Sequence, residues 1–152
     1  MIRLLDRAIE VVLGLLLVAL IATAGGQVIA RYLFSQSFSW VLELDVLLLV
    51  WATMLSGYTG VRRNLHMAVD FGVAQLGAPL RKLATLASLA LSALFCSVFG
   101  WTSFTVIDAM DGIPFASLAV GQPWLYWSLP AGAALMLFAL AVEFFARLKT
   151  PA

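Results

Sequence analysis

Polar residues are sparse along this chain, and where they fall divides it into four long apolar stretches, 11–30, 40–61, 83–107 and 123–146. At about 1.5 Å per residue, a helix over any of them crosses a hydrocarbon core of about 30 Å. The first stretch is broken only by Gly14, Thr23, Gly25, Gly26 and Gln27. The strictly uncharged part of the second, 46–61, makes a helix only about 24 Å long. Spanning therefore draws Asp45, and Glu43 with it, to the membrane boundary. Trp40 opens the second stretch, and Trp124, Tyr126 and Trp127 open the fourth, where aromatic rings anchor a helix at the interface. Pro130 falls early in the fourth stretch and predicts a bend there. Glu143 and Arg147 stand in the favourable i, i+4 order near its end.

The connections are of two kinds. Residues 31–39 and 108–122 are short turns, the first with Ser35, Ser37 and Ser39, the second with Asp108, Asp111, Gly112, Pro114 and Gly121. Residues 62–82 are longer and begin and end on basic pairs, Arg62-Arg63 and Arg81-Lys82. Between these pairs Leu65, Val69, Gly72, Val73 and Leu76 recur at helical spacing. A short helix lying on the membrane surface is expected there, stopped by Gly77-Ala78-Pro79. Small residues recur every fourth position in the third stretch (Ala84, Ser88, Ser92, Cys96, Gly100) and more briefly in the second (Ala52, Ser56, Gly60). Such ridges let helices approach closely in lipid. They are read first as packing within the chain.

Composition agrees with this pattern. Of 152 residues 63% are hydrophobic and 11% charged, and mean hydropathy is +1.02. A soluble domain carries about 25% charged residues. The expected class is an all-α integral membrane protein, a single four-helix membrane domain over 1–152, surrounded by membrane lipid. Net charge is +1, which gives no reason to expect a nucleic-acid partner. Arg3, Arg7, Arg62, Arg63, Arg81, Lys82, Arg147 and Lys149 fall on one side of the spans and Arg31 alone on the other. The positive-inside rule then puts both termini in the cytoplasm. Arg3 and Arg7 before an apolar stretch and Ala22-Thr23-Ala24 resemble a secretory signal. Asp6 and Glu10 weaken it and the stretch runs on past the cleavage site, so no cleavage is expected.

Candidate chemistry is thin. One cysteine, Cys96, permits no internal disulfide, and one histidine, His66, excludes a haem held by two histidines of this chain. No span carries a charge at its centre, where ion-coupled carriers usually need one. No phosphate loop, dinucleotide fingerprint or metal-ligand cluster occurs. No enzyme activity and no cofactor are expected. The notable charges are Arg31, Glu43 and Asp45, at the outer edge of the first hairpin. Their plain reading is that Arg31 pairs with a carboxylate and reaches for water. Their functional reading, favoured by how short Glu and Asp are, is contact with another protein. Trp40, Asp108 and Asp111 join them as candidate partner contacts on the same side.

Together these residues resemble a family. Arg31-Tyr-Leu-Phe, Trp40-x-x-Glu43-Leu, Val50-Trp51, Gly57, Arg62-Arg63, His66 and Val69-Asp70 are similar to the small membrane subunit (DctQ type) of tripartite ATP-independent periplasmic, or TRAP, transporters. Gln122-Pro123-Trp124-Leu-Tyr126 and Leu129-Pro130-Ala-Gly132 resemble the start of that family's last helix. Where the family often has two adjacent acids after the tryptophan, this chain has Leu42 and Glu43. The resemblance implies a non-catalytic scaffold in a bacterial inner membrane. It implies a large membrane subunit carrying the substrate and sodium sites, and a periplasmic solute-binding protein that delivers an organic acid. The alternative from a different class is a self-sufficient small four-helix transporter acting as a homodimer, a class that generally has a membrane-embedded acid in an early span. A quinone- or haem-linked membrane protein is a third reading, disfavoured by the single histidine and cysteine.

Overall fold

The computed structural model describes residues 2–63 and 77–149. Helix α1 (Ile2–Phe34) and α2 (Ser39–Arg62) form a hairpin, followed by α3 (Ala78–Ala109), a single turn α4 (Pro123–Tyr126) and α5 (Ser128–Lys149). Among the described residues four helices are long and apolar enough to cross a membrane, α4 and α5 together forming the fourth. The surface helix expected between the second and third spans, with His66 and Asp70, lies outside the described residues apart from its flanks.

The helices run past the apolar stretches. With 33 residues α1 is about 50 Å long, longer than a core of about 30 Å requires, and its charged start carries Arg3, Asp6, Arg7 and Glu10. It ends where Ser35 takes a left-handed conformation (φ 52°) and the Gln36 N–H returns to the Ala30 carbonyl at 3.2 Å. The bend expected from Pro130 is a break at Trp127. Proline has no N–H to bond the carbonyl four residues back, at Tyr126. Across the break the Ser128 hydroxyl donates to the Leu125 carbonyl at 2.6 Å.

The spans stand in the order α1, α2, α5, α3, each inner helix packed on two neighbours. Three close approaches between the helices fall at glycines. Gly132 lies against Met54, Gly57 against Met136, and Gly100 against Ala133. Ala52, Cys96, Ser103, Ala133 and Ala139 are buried, while Leu15, Val18, Ile21, Leu91, Phe95, Trp101 and Phe145 are exposed. Large apolar side chains thus stand on the inside (Ile9, Tyr58, Val61 and Leu140) as well as on the outside, unlike a soluble protein. Lipid tails are as apolar as leucine, so only close packing distinguishes protein contacts from lipid contacts. The small-residue ridges serve this packing in part: Cys96 and Gly100 face inward, whereas Ser56 is exposed and Gly60 has open space above it.

Candidate functional site

Polar side chains gather at four levels of the hairpin. At its closed end Gln27 holds the turn. Its amide N–H groups reach the Ser37 hydroxyl (3.3 Å) and the Phe38 carbonyl (3.2 Å), and its oxygen accepts the Phe38 N–H (3.3 Å). Phe38 has no side-chain cap of its own at the start of α2. Gln27, from the neighbouring helix, supplies one.

One turn into α2, the Glu43 carboxylate grips the 110–122 loop. Oε1 accepts the N–H groups of Ala116 (3.0 Å) and Ser117 (3.2 Å), and Oε2 accepts those of Ser117 (2.9 Å) and Leu118 (2.7 Å). The loop is drawn together by Gly112 (φ 74°), a bridge between Pro114 and Gly121, and the Phe115 N–H on the Val120 carbonyl at 3.1 Å. Three successive N–H groups would otherwise need water, and a charged acceptor makes stronger bonds than a neutral one. Trp51 adds a second tie, its indole N–H donating to the Trp124 carbonyl at 3.1 Å. Asp111 and Trp124 help line an open hollow of about 360 Å³ beside this loop, and Asp108 is exposed.

Asp45 sits deeper, facing α1, and takes the Thr23 hydroxyl. That hydroxyl also lies within bonding distance of the Ala19 (2.9 Å) and Leu20 (3.1 Å) carbonyls of its own helix. Arg31 is exposed and forms no ion pair among the described residues, so it does not neutralise Glu43 or Asp45. Trp40 is exposed, its ring 6.3 Å from that of Phe38.

The opposite end of the hairpin carries a charged clasp. Asp6 accepts the Tyr58 hydroxyl at 2.6 Å and two Arg62 N–H groups at 3.2 and 3.1 Å, and Arg63 pairs with Glu10 at 2.6 Å. Asp6 and Tyr58 are the side chains the sequence pattern missed. Asp6 is signalled only as an acid in an otherwise basic amino terminus, and Tyr58 only as a polar tip inside an apolar span. The expected Glu143–Arg147 pair forms in α5 at 2.8 Å. Among the described residues no group of three or more His, Cys, Asp or Glu could hold a metal ion. Cys96 is buried as a free thiol. An open apolar groove of about 460 Å³ runs between α2 and α3 over α5, lined by Val61, Leu91, Phe95, Met136 and Leu140 among others.

The structure thus ties Glu43 into the chain's own fold, gives Asp45 one hydroxyl contact on α1, and leaves Arg31, Trp40, Asp108 and Asp111 at the surface. Glu43→Gln puts an amide donor against N–H groups. It is expected to ease local opening of the loop by about 1 kcal/mol, roughly fivefold faster amide exchange at Ala116, Ser117 and Leu118. Hydrogen-exchange mass spectrometry of the 110–122 segment measures this, and unchanged exchange would mean the carboxylate does not hold the loop.

Comparison with known proteins gives a consistent set. Residues 18–150 match the family described as tripartite ATP-independent periplasmic transporters, DctQ component. The C4-dicarboxylate TRAP transporter small permease protein DctQ of Rhodobacter capsulatus is 30% identical, with 91% of this chain and 75% of that protein covered. The protein of the same name from Vibrio cholerae serotype O1 is 37% identical over 68 residues, covering 45% of this chain and 29% of that one. The sialic acid TRAP transporter permease protein SiaT of Haemophilus influenzae is 29% identical, with 82% of this chain aligned to 20% of its length.

Proposed function

Since the chain belongs to the DctQ component family of the tripartite ATP-independent periplasmic transporters, we propose that it is a non-catalytic scaffold for a large transport subunit. The proposed setting is a bacterial inner membrane with both termini in the cytoplasm, as the distribution of Lys and Arg favours. The transporter it serves takes up an organic acid, coupled to sodium, from a periplasmic binding protein. The relatives named for C4-dicarboxylates and sialic acid support an acidic solute.

The observation that carries this reading is the open order α1–α2–α5–α3, with close approaches at Gly57, Gly100 and Gly132 and many bulky apolar side chains on the outside. A row held by its own close contacts keeps its shape while a neighbouring domain moves, and its outer faces stay free for a larger membrane protein. The charged clasp and the Glu43-bound loop fix the two ends of that row.

Purification of the tagged chain from its own host in mild detergent tests the proposal. A stoichiometric large polytopic membrane protein is expected to accompany it. A chain that purifies only with itself, as a stable dimer, would instead support a small homodimeric transporter. Flux in liposomes containing this protein alone would then be measured.

A further inference from the structure

We propose that Asp45 is the receptor, at the membrane boundary, for a cationic side chain, arginine or lysine, carried by a helix of the large transport subunit. The inference rests on the scaffold reading above and names the chemistry of one contact within it.

Asp45 lies six residues past the start of α2 at Ser39, about 9 Å along the helix and below the interfacial Trp40. Asp45 is half-buried there, and its short side chain stays close to the helix at the membrane boundary. Its partner among the described residues is the Thr23 hydroxyl, which has one proton to give. That proton is contested by the Ala19 and Leu20 carbonyls. The carboxylate therefore receives at most one hydrogen bond from its own chain, and receives it only when Thr23 releases its backbone. Glu43, nearer the helix start, accepts the N–H groups of three residues.

Among the described residues no ion pair is formed by Asp45. Arg62, Arg63 and Arg147 are paired with acids at the far end of the spans. Arg31 lies eight residues beyond Thr23, about 12 Å along α1. A second copy crossing the membrane in the same sense offers only Arg31 at the same offset. Lipid tails offer no donor at all.

The surface beside Asp45 suits a helix. Leu42, Val46, Leu49, Thr53 and Ser56 form an exposed stripe along α2. The Thr53 and Ser56 hydroxyls are turned onto their own helix, at 2.8 Å from the Leu49 and Thr53 carbonyls, and nothing stands over Gly60. Such a narrow, satisfied face permits close approach of a partner helix. Asp45, at its edge, supplies the charge that such a helix complements.

The test co-expresses the full chain with the large membrane subunit that accompanies it and measures recovered complex. Asp45→Asn is expected to lower recovery roughly tenfold, the loss of about 1.4 kcal/mol. Asp45→Lys is expected to abolish it. The isolated Asp45→Asn chain should melt at or above the temperature of the unsubstituted one, because no half-buried charge is then left with a single contested hydroxyl. A photo-reactive phenylalanine analogue in place of Leu49 should crosslink to the large subunit, and this readout needs no change at Asp45. Undiminished recovery with both Asp45 variants, or crosslinking of position 49 to lipid or to a second copy alone, would overturn the inference and leave the scaffold reading standing. Failure of the unsubstituted chain to bring down any large subunit would overturn both.

Discussion

Gly132→Ala is expected to push α2 away from α5 and lower the stability of the chain by about 1–3 kcal/mol, the usual cost of overpacking. A Cβ at Gly132 would stand 2.7 Å from the Met54 Cβ and 3.0 Å from the Met54 carbonyl oxygen. Neither atom can move without shifting the backbone of α2. Gly57 makes a useful control on the same interface. Its added Cβ would meet the Met136 sulfur at 2.6 Å, but that atom belongs to a flexible side chain that can swing aside. Gly57→Ala should therefore cost much less, and Gly132→Leu should leave little folded protein. Thermal unfolding of the purified chain in one detergent, followed by intrinsic tryptophan fluorescence, ranks the three. Equal effects of alanine at 132 and 57 would mean that the close approach at Met54 does not govern this interface.

The second large effect is expected at the clasp. Asp6→Ala removes the common acceptor of Tyr58 and Arg62, leaving the hydroxyl of a fully buried tyrosine and a guanidinium without it. Breaking a fully buried pair costs about 3–5 kcal/mol. Here the Asp6 and Arg62 side chains are 28% and 24% exposed, so water takes up part of the loss and about 1–3 kcal/mol is expected. Tyr58→Phe, which deletes only the donor, should cost about 1 kcal/mol. A double-mutant cycle of Asp6→Ala with Arg62→Met isolates the ion pair and should return a coupling of about 0.5–3 kcal/mol. Additive losses would show that Asp6 serves Tyr58 alone and that the arginine finds water equally well.

Both results bear on the scaffold reading. The Gly132 contact joins α2 to α5, and the clasp joins α1 to α2, so each variant loosens one seam of the row α1–α2–α5–α3. A scaffold that works by rigidity should lose its large partner when a seam opens, even where the four spans still form.

The sequence carried the spans because hydropathy is a local property. In hydrocarbon every backbone N–H and C=O must be satisfied within the segment, so a long apolar run becomes a helix whatever its neighbours are. That logic gave the four spans, the interruption near Pro130 and the Glu143–Arg147 pair, which lies within one helix. It extended to the family, whose short motifs lie in order along the chain.

What the sequence left open depends on helix rotation and neighbour choice. Glu43 on the 116–118 backbone, Asp45 on Thr23 and Asp6 on Tyr58 and Arg62 join residues from about twenty to more than seventy positions apart. In a soluble helix the polar face would have revealed each rotation. Here the faces toward lipid and toward protein are equally apolar, so periodicity is nearly silent. Lipid and composition thus decided that there are four crossing helices, while close contacts at Gly132, Gly57 and Gly100 decided which helix stands beside which.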